Sequence, residues 1–508
     1  MIGQYLGCIV TETKLNTLFI VIDQLRADCV FGPLAQYLEL PNIRALAADA
    51  VSFHNHYSVT APCGPSRVSM LTGQYASNHR AIRNGTPLKR DTPNLATAAR
   101  DHGYDPLLFG YTDTAHDPRF LAPDDPRLFS YEELAAGFRE AVRMRFESDY
   151  SEWETYLKAQ GYAPAPFPDL YQPVGDTPDT PAFYAAEHSD TAFLTNRTLD
   201  VLADQPQGWF AHLTYIRPHP PFVAPAPYNS LYASDAMPAP KAANDPDWHD
   251  FLGPARAVSP VSRVVEGFPD LKESDDTTKM IRALYFGLAT EVDHHIGRIV
   301  SWLKRSGQYD DTLIVVTSDH GELLGDYGIW GKRTFHDAAF HVPLIIRDPK
   351  ASEKGVTVTA ATESIDVTPT ILDCLGAKIP HSMDGRSLRP FLNGAPPPDW
   401  RRVTISELDF ADPVAPTLWQ QRLGVSLDGA NLAVLRKDTM RLVQFAEGLD
   451  PILMDVSEGK EDHNLAKKPD HMQTMLDLMQ ELLCHRMINT DGTFSRTLIT
   501  EDGVKVAS

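Results

Sequence analysis

The chain has 508 residues, 43% of them hydrophobic and 22% charged, and a formal net charge of −21. This composition is ordinary for a globular protein and excludes a collagen, a coiled coil or wholesale disorder, while the length favours one large domain and a smaller one. The acidity argues against nucleic acid as a partner, because phosphate binding needs a clustered basic surface. An acidic protein that binds an anion must concentrate positive charge locally, through a metal ion, a few Arg or Lys side chains, or helix N-termini.

Short apolar runs of strand length alternate with amphipathic stretches along most of the chain. The predicted strands cover residues 17–22, 107–109, 209–215, 312–317 and 342–346, and helices are predicted over 40–50 and 280–306. This alternation predicts an α/β fold in which helices cover a sheet. In open α/β sheets, ligands bind beyond the carboxyl ends of the strands.

The pattern changes in two places. Between about residues 116 and 190 the sequence is rich in Pro, Asp and aromatic residues without a clean period, which predicts an inserted cap or rim. Residues 395–485 contain short alternating runs that predict an antiparallel sheet in a smaller C-terminal subdomain. We therefore expect a main domain over 1–394 and a tail over 486–508, which either packs on a neighbouring subunit or is a disordered end.

The cysteines are scattered, odd in number and without metal-ligand spacing: Cys8, Cys29, Cys63, Cys374 and Cys484. Such a set favours a reducing compartment over a disulfide framework. The N-terminus shows no basic segment followed by an apolar stretch, and no window approaches ~18 uninterrupted apolar residues. We therefore expect a cytoplasmic protein without a membrane partner.

Two of the predicted strands end in acidic residues. The first leads into Asp23 and Gln24, and the fourth leads into Asp319 and His320. If these strands are parallel neighbours, their carboxylates converge at one edge of the sheet. Oxygen-rich ligation with one imidazole suits a hard divalent ion such as Mg²⁺, Mn²⁺ or Ca²⁺ better than a structural zinc. Alternatively, each Asp caps a following loop or helix.

Residues 61–73 are typical of a loop that turns into a helix. Pro65 suits the first helical turn and Gly73 the end of the helix, so Cys63 would lie at the helix N-terminus. The free amides and the helix dipole favour an anion there, and Arg67 adds a cation that can bind two oxygens of a tetrahedral oxyanion. On local chemistry alone, however, a lone Cys is more often a small buried hydrophobe than a nucleophile.

The segment Cys-x-Pro-Ser-Arg, followed by Leu-Thr-Gly, resembles the signature by which sulfatases are recognised for oxidation of the Cys to formylglycine. Further matching segments extend over most of the chain, at residues 22–28, 78–80, 215–222, 318–322 and 364–370. Together they resemble the phosphonate monoester hydrolase and arylsulfatase branch of the alkaline phosphatase superfamily. The resemblance implies a large mixed, mostly parallel sheet sandwiched by helices, with a smaller C-terminal α+β domain.

The resemblance also implies a set of site residues. One divalent metal ion would be held by Asp23, Gln24, Asp319, His320 and the formylglycine derived from Cys63. Catalytic or substrate contacts are implied for Arg67, Asn84, Tyr111, His219 and Lys332. Asn84 and Tyr111 can donate hydrogen bonds to ester oxygens, and the two basic side chains can neutralise or protonate developing charge. Taken alone, His219 would be a satisfied loop histidine and Lys332 a surface lysine.

Two positions depart from the pattern of similar phosphonate hydrolases, which often have Ala in place of Ser66 and Thr in place of Asp113. We therefore include Asp113 among the substrate-binding candidates. A carboxylate near the pocket would repel a doubly charged substrate and favour a singly charged one. Alternatively, Asp113 points away from the pocket.

The resemblance implies a hydrolase that attacks an ester with one hydroxyl of hydrated formylglycine and releases the product with the other. Sulfate monoesters rank first as substrates, on the Cys-x-Pro-Ser-Arg segment, and phosphonate monoesters or phosphodiesters second, on the wider similarity. A catalytically silent anion-binding protein is a third alternative, which the intact Cys63 and Arg67 disfavour. We also expect a formylglycine-generating enzyme as a partner and, by resemblance, a homodimer or homotetramer.

Overall fold

The computed structural model describes residues 14–506. Its strands are, in chain order, β1 (Asn16–Ile22), β2 (Val51–Phe53), β3 (His56–Tyr57), β4 (Thr60–Ala61), β5 (Pro106–Gly110), β6 (Arg139–Arg143), β7 (Phe210–Tyr215), β8 (Thr312–Ser318), β9 (Leu344–Arg347), β10 (Val356–Val358), β11 (Thr362–Glu363), β12 (Thr404–Asp409), β13 (Asn431–Lys437), β14 (Met440–Phe445), β15 (Ile452–Asp455), β16 (Thr497–Thr500) and β17 (Gly503–Val506). Its α-helices are α1 (Pro41–Ala47), α2 (Cys63–Thr72), α3 (Ala76–His79), α4 (Leu95–Asp101), α5 (Ser151–Ala159), α6 (Asp190–Ala203), α7 (Leu252–Val258), α8 (Asp275–Arg305), α9 (Asp337–Phe340), α10 (Val367–Cys374), α11 (Arg389–Leu392), α12 (Leu418–Leu423) and α13 (Met472–Ile488).

The main sheet has eight strands in the order β10-β2-β9-β8-β1-β7-β5-β6. Its neighbouring strands are parallel, except that β9 runs antiparallel to β2 and β8. This mixed, mostly parallel sheet confirms the predicted fold class. Strand β6 comes from the predicted insert, so that segment also extends the sheet at one edge.

Helices cover both faces of the main sheet, because alternate strand residues point to opposite sides. On β1, Leu18, Ile20 and Ile22 belong to a core shared with the long helix α8. Phe19 and Val21 pack instead with α2, α4 and α10 on the other face. Burial on both faces explains why β1 is an uninterrupted apolar run rather than an alternating one.

A second sheet, in the order β15-β14-β13-β12-β4, gathers the C-terminal strands. Strands β12 to β15 pair antiparallel, as the alternating runs predict. Strand β12 also pairs in parallel with β4, whose last residue is followed by Pro62 and Cys63. The C-terminal sheet is therefore joined to the backbone that leads into α2, which the sequence analysis did not predict. The domain boundaries at 394 and 485 stay predictions.

The predicted elements are present, with ends displaced by a few residues. The helix predicted over 280–306 begins earlier, at Asp275, because the Ser274 side chain accepts a hydrogen bond from the Thr277 N–H and caps it. The predicted tail contains the end of α13 and the β16–β17 hairpin, in which Leu498 and Ile499 are exposed. Its role in subunit packing stays a prediction.

No helix within residues 14–506 combines the length and the apolar character needed to cross a membrane. The four cysteines in this range, Cys29, Cys63, Cys374 and Cys484, are free thiols. Cys8 and the N-terminal segment, for which the sequence predicts no secretion signal, lie outside the described residues.

Candidate active site

The two acidic strand ends meet at one edge of the main sheet. Strands β1 and β8 are adjacent and parallel, in a register that pairs Ile22 with Ser318. Asp23 and Asp319 therefore leave the sheet side by side. The backbone N–H of Gln24 donates to Asp319 Oδ1 at 3.1 Å. This convergence of carboxylates confirms the prediction from the strand ends.

Cys63 opens helix α2, which is buried along its whole length. The helix ends at Gly73, whose φ of 63° is a left-handed cap that suits glycine. Cys63 Sγ lies 3.1 Å from His320 Nε2 and 4.0 Å from Asp23 Oδ1. The helix N-terminus thus lies at the sheet edge where the carboxylates meet, and its dipole favours negative charge there.

The environment of the Cys63 thiol makes it a weak nucleophile. Burial, followed by the neighbouring Asp23, raises the pKa of the thiol well above its ordinary value. The thiolate is the reactive form of cysteine, and this site disfavours it at neutral pH. The unmodified side chain is therefore poorly suited to attack an ester, which agrees with the expected oxidation to formylglycine.

Asp23, Cys63, Asp319 and His320 form a buried cluster, which we call the pocket floor. One potential ligand atom from each residue lies within 4.8 Å of the others. His320 Nδ1 lies 3.0 Å from the Gly321 carbonyl oxygen, which assigns the ring proton to Nδ1 and leaves the Nε2 lone pair to the cluster. Burial lowers the pKa of His320 to about 3, so the ring is in the neutral form that binds metals. Two carboxylates and a neutral imidazole around one point fit a divalent cation.

Gln24, a further expected ligand, is bonded to two other side chains. Its Oε1 accepts a hydrogen bond from Lys332 Nζ at 2.6 Å, and its amide nitrogen donates to Glu322. The Glu322 carboxylate also accepts from the backbone N–H groups of Leu324 and Gly331. Glu322 therefore positions Gln24, a role that the sequence analysis missed although Glu322 belongs to one of the matching segments.

Arg67 contacts the carboxylates of the pocket floor directly. Its Nη2 and Nε lie 2.9 Å from Asp23 Oδ2 and Asp319 Oδ2 respectively. The Tyr111 hydroxyl donates to the same Asp23 oxygen at 2.5 Å. Arg67 and Tyr111 thus have acidic partners within the protein, and their direct contact with a substrate stays a prediction.

Asp113 points into the site, so the alternative that it points away is wrong. Its Oδ2 lies 3.6 Å from Arg67 Nε, and the residue lines the same pocket as Cys63. Burial raises the pKa of Asp113 well above its ordinary value, although Arg67 lies close. A protonated carboxyl would not repel a doubly charged substrate, which weakens the electrostatic argument made from the sequence.

His219 and Lys332 meet in the pocket, with 3.1 Å between His219 Nε2 and Lys332 Nζ. His219 Nδ1 lies 2.6 Å from the Pro220 carbonyl oxygen and therefore carries the ring proton. Burial and the neighbouring Lys332 hold the pKa of His219 well below its usual value. The neutral ring thus accepts a hydrogen bond from the Lys332 ammonium, and neither residue is an ordinary loop or surface side chain.

Residues far apart in the sequence hold the His219 loop in place. Arg217 Nε donates to Asp190 Oδ2 at 2.9 Å, and its Nη1 donates to the carbonyls of His219 and Pro221. The ring of Phe146, from the insert, packs edge-on against His219 with centroids 5.1 Å apart. Arg217 lies in a matching segment, but no local signal in the sequence identifies Asp190 or Phe146.

The site opens into a pocket of about 310 Å³. Apart from Arg67, which lies behind the carboxylates of the floor, the remaining candidate residues line it: Gln24, Asn84, Tyr111, Asp113, His219 and Lys332. Asn84 Oδ1 accepts from the Gly64 N–H at 3.0 Å, which leaves its amide NH₂ without a protein partner in the described part of the chain. A further part of the lining, which we call the pocket mouth, includes Tyr131, Phe146, Glu147, Arg263 and Arg333, of which the last three are exposed.

The fold and the site define the class of protein. Residues 15–377 match the family model described as Sulfatase, and residues 325–487 match the model described as N-sulphoglucosamine sulphohydrolase, C-terminal. The chain belongs to the sulfatase family of the alkaline phosphatase superfamily and is a hydrolase of that class.

Among its relatives, phosphonate monoester hydrolases match the chain over nearly its whole length. The phosphonate monoester hydrolase SpPMH from Silicibacter pomeroyi is 53% identical, with a TM-score of 0.94 over 97% of this chain and 99% of that one. The phosphonate monoester hydrolase of Agrobacterium radiobacter is 38% identical, with a TM-score of 0.92 over 97% and 100% of the two chains. The multifunctional alkaline phosphatase superfamily protein PehA from Trinickia caryophylli is 37% identical over 97% of this chain and 99% of its own.

Proposed function

We propose that the protein hydrolyses phosphonate monoesters and phosphodiesters. The observation that carries this proposal is the similarity to two phosphonate monoester hydrolases over 97% of the chain. The match is thus not confined to the residues that all sulfatases need. The similarity therefore favours phosphonate monoester and phosphodiester hydrolysis, which the sequence analysis ranked second, over sulfate ester hydrolysis, which it ranked first.

The chain supplies donors for the oxygens of a singly charged tetrahedral centre. Although burial opposes it, the surrounding acidic groups raise the pKa of Lys332, so its ammonium keeps its charge at neutral pH. This ammonium and the free NH₂ of Asn84 stabilise the negative charge that develops on the ester oxygens. His219 accepts from Lys332 and therefore orients the ammonium, while Arg67 balances the charge of Asp23 and Asp319.

Two groups would complete the reaction. A divalent cation held by Asp23, Asp319, His320 and residue 63 would supply Lewis-acid stabilisation, and formylglycine at residue 63 would supply the nucleophilic hydroxyl that the buried thiol does not. The burial of the pocket floor strengthens each of the surrounding electrostatic contacts, because the effective dielectric constant there is low.

The proposal is tested with one preparation and two assays. Peptide mass spectrometry measures the fraction of Cys63 converted to formylglycine, and hydrolysis of 4-nitrophenyl phenylphosphonate is compared with that of 4-nitrophenyl sulfate. We expect the larger kcat/KM for the phosphonate. A larger value for the sulfate would make the protein a sulfatase by activity. No turnover of either ester by metal-loaded, converted protein would instead support the anion-binding alternative.

Sulfate ester hydrolysis remains the second candidate, supported by the match of residues 15–377 to the Sulfatase model. Ser66, where phosphonate hydrolases often have Ala, donates its hydroxyl to the Asp319 carbonyl and lies 3.0 Å from Ser58 Oγ. It faces neighbouring protein groups rather than the pocket, so this departure gives sulfate no direct advantage.

A further inference from the structure

The pocket mouth carries opposite charges that make no close ion pair within residues 14–506. Glu147, from the insert, and Arg333, next to Lys332, line the same pocket as Cys63. Within residues 14–506, neither side chain makes a hydrogen bond, and neither has an oppositely charged group within 4.0 Å. In contrast, the buried guanidinium groups of Arg67 and Arg217 are each bonded to a carboxylate.

The backbone under Glu147 is fixed by a buried carboxylate. Glu132 is 2% exposed, and its two oxygens accept hydrogen bonds at 2.7 to 3.2 Å from the backbone N–H groups of Phe146, Glu147 and Ser148. Hydrogen bonds to an ionised acceptor are stronger than neutral ones. The position of Glu147 at the mouth is therefore built into the fold, whereas its side chain makes no hydrogen bond within residues 14–506.

Arg333 also projects from a fixed turn. The Gly331 N–H donates to the Glu322 carboxylate, and the Thr334 N–H donates to the Lys332 carbonyl at 3.0 Å. Arg263, the other cation of the mouth, donates to the Val258 carbonyl and has no carboxylate within 4.0 Å in the described range. The mouth thus presents one carboxylate and two guanidinium groups that have no ion pair within 4.0 Å in the described range, although Lys332 acts on Glu147 and Asp412 on Arg333 over a longer distance.

We propose that the pocket mouth is a subsite for a dipolar ester substituent, in which Glu147 binds an ammonium group and Arg333, with Arg263 nearby, binds a carboxylate. This inference rests on the proposed function and names the class of ester: a phosphonate or phosphate ester of an amino-acid-like alcohol. A purely cationic or purely anionic substituent would leave the opposite charge partly desolvated and unpaired, which costs free energy. A dipolar substituent pairs both.

The test compares four alkyl esters as competing substrates. Their poor leaving groups keep hydrolysis slower than dissociation, so each inhibition constant reports binding. Phenylphosphonate monoesters of serine, ethanolamine, 3-hydroxypropanoate and ethanol are used as competitive inhibitors of 4-nitrophenyl phenylphosphonate hydrolysis. For the unaltered protein we expect the serine ester to have an inhibition constant at least about tenfold lower than the ethanol ester, since two charge-assisted hydrogen bonds add to its binding even after solvent screening. Glu147→Gln should remove the gain from the ammonium group, and Arg333→Gln the gain from the carboxylate.

Glu458→Gln and Arg422→Gln change exposed charges outside the pocket and serve as matched controls, which should keep the original ratios. Equal inhibition constants for the four esters, or ratios unaltered in both mouth variants, would overturn the subsite. Failure to hydrolyse 4-nitrophenyl phenylphosphonate at all would overturn the proposed function instead. Hydrolysis of that ester without any preference among the four inhibitors would overturn only this inference.

Discussion

The floor and the mouth of the pocket are built from different kinds of structure. The floor lies where two buried parallel strands end and a buried helix begins, and both of its carboxylates are paired with Arg67. The mouth comes from the insert and from loops, and some of its charged side chains make no close ion pair among the described residues. A rigid floor can hold catalytic groups in the geometry that a whole family needs, whereas charged loop residues at the mouth can determine which ester is bound. Variants of the two regions should therefore differ in kind as well as in size of effect.

The largest effect is expected from Cys63→Ala at the floor. Loss of the nucleophile should lower kcat by about three orders of magnitude or more, because groups that act as a unit in catalysis cannot substitute for one another. Steady-state hydrolysis of 4-nitrophenyl phenylphosphonate measures the change, and a thermal melt shows that the variant is folded. Full activity in protein whose Cys63 is entirely a thiol would refute the assigned role.

Removal of the metal should have the next largest effect and should also change stability. Treatment with a chelator should abolish turnover, and Mn²⁺, Ca²⁺ or Mg²⁺ should restore it. A cation at 100 times its dissociation constant stabilises the folded state by about 2.7 kcal/mol, which a rise in melting temperature detects without any assay of activity. Asp319→Asn should lose most of this rise. A chelated, metal-free protein that keeps both its activity and its melting temperature would exclude the metal site.

Asp190→Asn should have an intermediate effect. The substitution removes the charged partner of Arg217, which holds the His219 loop in place. A small displacement of the His219 loop should lower kcat by about tenfold, since a shift of 1 Å in a positioned group costs up to ~10²-fold in rate. The stabilisation by metal ions should be unchanged. Asp200→Asn, on the exposed side of the same helix, is the matched control. An unaltered kcat in Asp190→Asn would show that the His219 loop needs no support from Arg217.

The smallest effect is expected from Glu291→Gln. Glu291 contacts Ser189 at the end of the insert and belongs to neither the floor nor the mouth. Burial, and then Asp190, raise the pKa of Glu291 to about 8, while the Ser189 hydroxyl donates to one of its oxygens at 2.5 Å. The unfolded chain releases this proton near pH 4.5, so the unaltered protein loses stability as the pH rises from about 5 to 8. The loss is on the order of 1–3 kcal/mol. The Glu291→Gln variant should lose less stability over that pH range, because the amide does not titrate. The melting temperature of both proteins at each pH measures the difference. Equal losses of stability in the two proteins would contradict the raised pKa of Glu291.

The floor and the mouth also differ in how well they could be predicted from the sequence. The floor was predictable because an apolar run that ends in an acid marks the carboxyl end of a buried strand, and because Pro65 and Gly73 mark the ends of a helix. The mouth was not, because Glu132 reaches residues 146–148 through a segment without any period. The link from β4 to β12 was also missed, since a two-residue strand leaves no pattern in a sequence.

The pairing of β4 with β12 sets an order of events during protein synthesis. Thr60 and Ala61 find their partners in Glu407 and Leu408, which the ribosome adds roughly 350 residues later, or roughly 20–70 s later at ~5–20 residues per second. Folded, Cys63 is only 6% exposed and closed to a modifying enzyme. During the interval, the nascent segment that leads into Cys63 still lacks the strand that pairs with it in the folded protein. We therefore expect oxidation of this cysteine to occur on the growing chain, and slower translation to raise the converted fraction.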